Sequence, residues 1–75
     1  MSNDKFSYEI MKHIATLSES ANGDYTTEVN LISYNGAKPK LDIRKWDKRA
    51  GRMLKGITLN DEETDQLREA LATAI

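Results

Sequence analysis

No cysteine occurs in the 75 residues. That excludes a disulfide framework, a thiolate metal site and a thiol nucleophile. There is one proline, Pro39, and one histidine, His13, so neither a proline-rich linker nor a histidine cluster can be built. Apolar runs are only a few residues long, too short to span a bilayer. The first residues, MSNDKFSYE, lack the apolar stretch of a secretory leader, so no signal peptide and a cytoplasmic setting are expected. The length fits one domain covering 1–75, and a chain this short leaves a monomer with a thin core. With 39% hydrophobic and 31% charged residues, the composition is globular rather than disordered.

Net charge is also scarce, at -1, but that value hides a segregation. Residues 1–37 carry a balance of -3 and residues 59–75 one of -4. Between them, residues 38–58 hold eight Lys and Arg against Asp42 and Asp47, a balance of +6. Such a local density points to a polyanion more than the overall pI of 5.7 does. An ordinary solvated charged surface is the plainer alternative.

Residues 5–19 carry strand formers without a clean period. Ile10, Ile14 and Leu17 also allow a helix, but a long strand that bulges or is covered on both faces is preferred. The sequence SANGD at 20–24 and the pair Asn35-Gly36 are turn signals. Between them, residues 25–35 read as a strand with Val29, Leu31 and Ser33 on one face and Glu28, Asn30, Ile32 and Tyr34 on the other. Residues 40–47 alternate, with Leu41 and Ile43 opposite Lys40, Asp42, Arg44 and Trp46. A basic loop, 48–52, leads to a fourth strand over 53–59 with Ile57 and Leu59 inward. The last segment starts as a helix at an Asn60 N-cap, with Glu63 at capping-box spacing and Asp61 and Glu62 in the first turn. Thr64, Leu67, Leu71 and Ala74 form its apolar stripe. The fold class is therefore α+β, an antiparallel ββββα meander.

The helix is expected to cover the Leu31, Leu41 and Ile43 face of the sheet. That would leave Tyr34, Lys40, Arg44 and Trp46 on an open face, where rings can stack on unpaired bases and cations can follow phosphates. The competing reading has Trp46 closing a minor core or a dimer contact. No catalytic residues are expected. His13 lies in a strand with no reason to face a serine, Asp42 and Asp47 point to opposite faces, and no glycine-rich loop precedes the helix. No metal or cofactor is expected either. Short length and a single helix point to a homodimer with Leu67, Leu71 and Ala74 at its interface.

Asp42-Ile43-Arg44-Lys45-Trp46, followed by a basic stretch, Lys55-Gly56-Ile57-Thr58-Leu59 and an acidic capped helix, resembles the positive cofactor 4 family of transcriptional coactivators. The nearer similarity is to its small bacterial, YdbC-type branch, and it extends from about Phe6 to Leu71. The resemblance implies a strongly curved four-stranded sheet followed by a helix. It further implies a dimer joined mainly through the helices, whose paired β-ribbons bind single-stranded DNA. By the same resemblance Arg44 corresponds to a phosphate-binding arginine, Trp46 and Tyr34 to stacking aromatics, Lys38 and Lys40 to hairpin lysines, and Lys55 to a basic position entering strand four. Arg52 joins these as part of the basic path. The expected function is largely sequence-independent binding of single-stranded DNA in transcription regulation or other DNA transactions. An RNA-binding or protein-interaction module is the alternative.

Overall fold

The computed structural model describes residues 6–75. Four strands, β1 (Tyr8–Glu19), β2 (Tyr25–Tyr34), β3 (Lys40–Asp47) and β4 (Arg52–Leu59), precede one helix, α1 (Asp61–Ala74). The strands pair antiparallel in the order β1-β2-β3-β4, the expected meander. Both predicted turns form. Asn35 and Gly36 both take positive φ, 52° and 79°, and the Ala37 amide donates to the Tyr34 carbonyl at 2.9 Å. That is the backbone a tight hairpin turn needs, and Asn-Gly adopts it at low steric cost.

β1 explains its own lack of period. Its register against β2 slips between Ile10 and Lys12, between His13 and Ala15, and between Thr16 and Ser18. Met11, Ile14 and Leu17 are the extra residues, one at each bulge, and all three are about half exposed. An insertion at every third residue destroys the alternation of two and leaves a spacing that imitates a helix. Each bulge also bends the strand and strengthens its twist.

Curvature follows on the whole sheet. Tyr8 pairs with Tyr34 at one end of β2, and Trp46 pairs with Thr26 at the other. In a flat sheet those ends would lie about 27 Å apart, at roughly 3.4 Å per residue. Yet the Tyr8 and Trp46 rings are 5.8 Å apart between centroids. The sheet therefore coils until its concave face closes on itself.

This closure corrects the expected burial. The even-numbered face of β2 and β3 is occluded rather than open: Ile32, Asn30 and Asp42 are completely buried and Trp46 is 4% exposed. Thr26, Glu28, Ser33 and Asp47 are buried as well, so polar groups outnumber Ile32 and Trp46 in the interior.

α1 begins as predicted. Asn60 accepts from the Glu63 amide at 2.7 Å, and Glu63 accepts from the Asn60 amide at 3.0 Å, closing the capping box. The helix does not cover the sheet, however. It touches only β3 and β4, leaves Leu31 on β2 outside its reach and buries none of its own residues completely. Ile57, expected inward, is 55% exposed. With the helix against β3 and β4 only, the odd-numbered apolar face is only partly shielded within one chain.

Candidate nucleic-acid interface

β3 sets out the candidate residues, and the burial of Asp42 determines what they do. A carboxylate without solvent must be compensated by hydrogen bonds and opposite charge. Arg44 supplies both. Its Nε donates to Asp42 Oδ1 and its Nη2 to Oδ2, each at 2.7 Å. Tyr34 donates its hydroxyl to Oδ2 at 2.6 Å, and Thr58 donates there at 2.8 Å. Arg44 Nη2 also reaches the Tyr34 hydroxyl at 3.2 Å, and Nη1 donates to the Leu54 carbonyl at 3.0 Å. Burial alone would raise the Asp42 pKa, but the bonds from Arg44, Tyr34 and Thr58 together hold it below its ordinary 3.8. Burial, followed by the bond to Asp42, raises the Tyr34 pKa above its ordinary value. The geometry thus joins Tyr34, Asp42, Arg44 and Thr58 in one network across three strands.

The Leu54 carbonyl belongs to a bulge. Arg44 pairs with Gly56 and Trp46 with Met53, so Lys45 faces two residues, Leu54 and Lys55. Gly56 is required here by proximity. A Cβ on it would lie 1.9 Å from Arg44 Cβ and 2.7 Å from the Ile43 carbonyl oxygen. The glycine lets β4 approach β3 closely where the Arg44 side chain crosses.

A second polar cluster occupies the same concave face. Glu28 accepts from Thr26 at 2.7 Å and from Lys48 at 3.1 Å, with Asn30 at 3.4 Å. Burial pushes the Glu28 pKa up, but these bonds pull it below its ordinary value. His13 Nδ1 lies 2.7 Å from Asn30 Oδ1, and its Nε2 lies 3.2 Å from the Thr16 hydroxyl. The Nδ1 contact ties β1 to β2, while the Nε2 contact stays within β1, so both ring nitrogens are engaged. Lys48 also sits 5.9 Å from the Trp46 ring centroid. The Trp46 indole N–H is buried without a partner among the described residues.

The rings of this face form a series. Phe6 lies 5.7 Å from Tyr34 and 6.2 Å from Tyr8, and Tyr8 continues to Trp46. Sequence reasoning named Tyr34 and Trp46 but missed Phe6 and Tyr8. Bulges hid the facing of β1, and no alternation signal could have placed Tyr8 against Trp46 of β3, or Phe6, ahead of β1, against Tyr34 of β2.

The cations of residues 38–58 divide into two sets. Lys38 pairs with Asp61 at 2.7 Å, Arg44 with Asp42, Lys48 with Glu28, and Arg49 with Asp47 at 3.4 Å and Asp24 at 3.9 Å. Arg49 also lies over the Tyr25 ring, 5.1 Å from its centroid. Lys40, Lys45, Arg52 and Lys55 have no ion-pair partner among the described residues and are exposed. Among the predicted residues, Lys38, Lys40, Arg52 and Lys55 are therefore accessible, Arg44 is committed to the Asp42 network and Trp46 is covered. On the helix, Leu67 is half-buried, while Leu71 and Ala74 are exposed.

No helix among the described residues is long and apolar enough to cross a membrane. An uncharacterised protein of Treponema pallidum (strain Nichols) is 44% identical to the chain over 69 residues, which covers 92% of this chain and 80% of that protein. Residues 22–70 match the family described as transcriptional coactivator p15 (PC4). The match takes in β2, β3, β4 and most of α1, with both polar clusters' β2 and β3 residues, and leaves β1 outside it. By this match over most of its length, the chain belongs to the transcriptional coactivator p15 (PC4) family, a family of nucleic-acid-binding, non-enzymatic proteins.

Proposed function

We propose that the protein binds single-stranded DNA with little sequence preference, as a homodimer, in transcription regulation or related DNA transactions. The observation that carries this reading is the set of unpaired cations Lys40, Arg52 and Lys55 on strands within the family match. Lys38 adds to them from the β2–β3 hairpin, because its exposed pair with Asp61 is weak and exchangeable with phosphate. In this assignment Lys38, Lys40, Arg52 and Lys55 follow the phosphates. Tyr34, Arg44 and Trp46 form the ring-and-network floor that holds the ribbon in shape, and a base reaches Trp46 only where Tyr8 yields. Lys contacts phosphate as a point charge and demands no fixed geometry, which suits binding without sequence selection.

The dimer is supported by incomplete burial. Ile57 and Leu71 are about half exposed, and the apolar side of α1 has little of its own sheet to rest on. A second copy would cover Leu67, Leu71 and Ala74. Titrating the tryptophan emission with single-stranded DNA, duplex DNA and RNA of equal length tests the function. Single strands should bind about tenfold tighter than duplex, the effect of one stacked base. Equal affinity for both forms would reduce the interaction to phosphate attraction, and tighter binding of RNA would move the assignment to the RNA alternative.

A further inference from the structure

Phe6 stands at the exposed end of the aromatic series. It is 62% exposed, whereas Trp46 at the other end is 4% exposed. Its position is not that of a loose end. The neighbouring Ser7 amide donates to Asn35 Oδ1 at 2.9 Å, and the Asn35 amide donates back to the Ser7 carbonyl at 2.9 Å. The Ser7 hydroxyl adds a third bond to Asn35 Oδ1 at 3.3 Å. These bonds fix the Phe6 segment to the β2–β3 hairpin, the element that carries Lys38 and leads into Lys40. A large ring, backed by Tyr34 and Tyr8 and largely exposed, is thus held against the hairpin that carries Lys38. Water gains nothing from an apolar ring held rigid on a charged hairpin, but a nucleobase gains a stacking surface that needs no further ordering.

We infer that Phe6 is a base-stacking residue of this protein, taking an unpaired nucleobase whose flanking phosphates lie near Lys38 and Lys40. The inference rests on the single-strand reading above, and it adds a contact from outside the segment matched to the family. Tyr34 then acts as the support on which Phe6 rests, held in turn through its hydroxyl by Asp42 and Arg44.

The test uses the full chain and an oligothymidylate, with Phe6→Ala, Phe6→Leu and Phe6→Trp compared with the parent protein. Phe6→Ala and Phe6→Leu should each weaken binding about tenfold, with the salt dependence and the unfolding midpoint unchanged. Phe6→Trp should retain affinity. If Phe6→Ala and Phe6→Leu bind like the parent, the inference is wrong while single-strand binding stands. If only Phe6→Ala is weak, apolar bulk rather than a π-face matters, and stacking is again excluded. If the parent itself does not prefer single strands, the underlying function fails and the assignment of Phe6 falls with it.

Discussion

At the scale of single residues, Asp42 governs the behaviour of its neighbours. Its carboxylate is fully buried and holds Arg44, Tyr34 and Thr58. From the sequence, Tyr34 is expected to contribute its ring as a stacking aromatic. The structure gives its hydroxyl a donor role to Asp42. Tyr34→Phe should therefore destabilise the protein by about 1–3 kcal/mol, the usual effect of leaving a buried polar group short of a partner. Denaturant unfolding would measure it, and an unchanged midpoint would remove the hydroxyl from the network. Asp42 also fixes an acid response. Its folded pKa lies below the unfolded value, so its stabilisation is complete above the unfolded pKa, about 3.9, and is lost as pH falls through the folded one. Asp42→Asn should begin roughly 3–5 kcal/mol less stable at pH 7, because Arg44 is left buried without its countercharge. Its unfolding midpoint should then vary less than the parent's between neutral pH and pH of about 2. Glu28, Asp47 and Asp61, whose pKa values are lowered too, contribute to the acid sensitivity that remains. Parallel curves for the two proteins would show that Asp42 does not carry the response.

At the scale of elements, the sequence was legible wherever local chemistry decides the outcome. Asn60 and Glu63 start α1 by bonds within four residues, and Asn35-Gly36 turns the chain by its own backbone preference. The strand boundaries of β2 and β3 followed from alternation, and alternation also sorted their side chains correctly between two faces. Which face would be buried was not legible, because that depends on curvature. Curvature arises from three insertions in β1 whose only trace in sequence is a missing period. Gly56 illustrates the same limit. It reads as a weak point in a strand, yet it permits the close crossing over Arg44. Gly56→Ala should lower stability by about 1–3 kcal/mol or more, since the contact it creates involves backbone as well as side chain. Loss of β3–β4 amide protection in hydrogen exchange would localise the damage. Full retention of that protection would contradict the crossing. Asn60→Ala should cost about 1 kcal/mol but act differently, fraying α1 while the sheet remains protected, because the helix is lightly docked.

At the scale of the whole molecule, the chain is too open for its length. Its radius of gyration is 14.0 Å, against about 11 Å for a compact domain of this size. The proposed dimer would cover part of that open surface, and light scattering at micromolar concentration should then give twice the 8.5 kDa chain mass. Leu67→Asp with Leu71→Asp should shift it to the monomer, and a parent protein already at 8.5 kDa would end the dimer proposal. Charge counting from the sequence needs revision at the same scale. Four of the eight cations in 38–58 pair with carboxylates; the Asp42 and Asp47 partners of Arg44 and Arg49 are already counted in the +6, but Asp61 and Glu28 come from outside the segment, so the +6 overstates by two charges what a polyanion meets. Salt dependence separates the two sets. Each phosphate contact on a single strand contributes about 0.7 to the slope of log affinity against log salt. Lys40 has no carboxylate partner, so Lys40→Ala should make the slope shallower by roughly 1.4 when both copies of a dimer are altered. Arg44→Lys keeps its charge but cannot reproduce the paired bonds to Asp42, so it should lower the unfolding midpoint while leaving the slope near the parent's. A slope change for Arg44→Lys comparable to that of Lys40→Ala would place Arg44 on the phosphates after all, and the Asp42 network would then have to open when DNA binds.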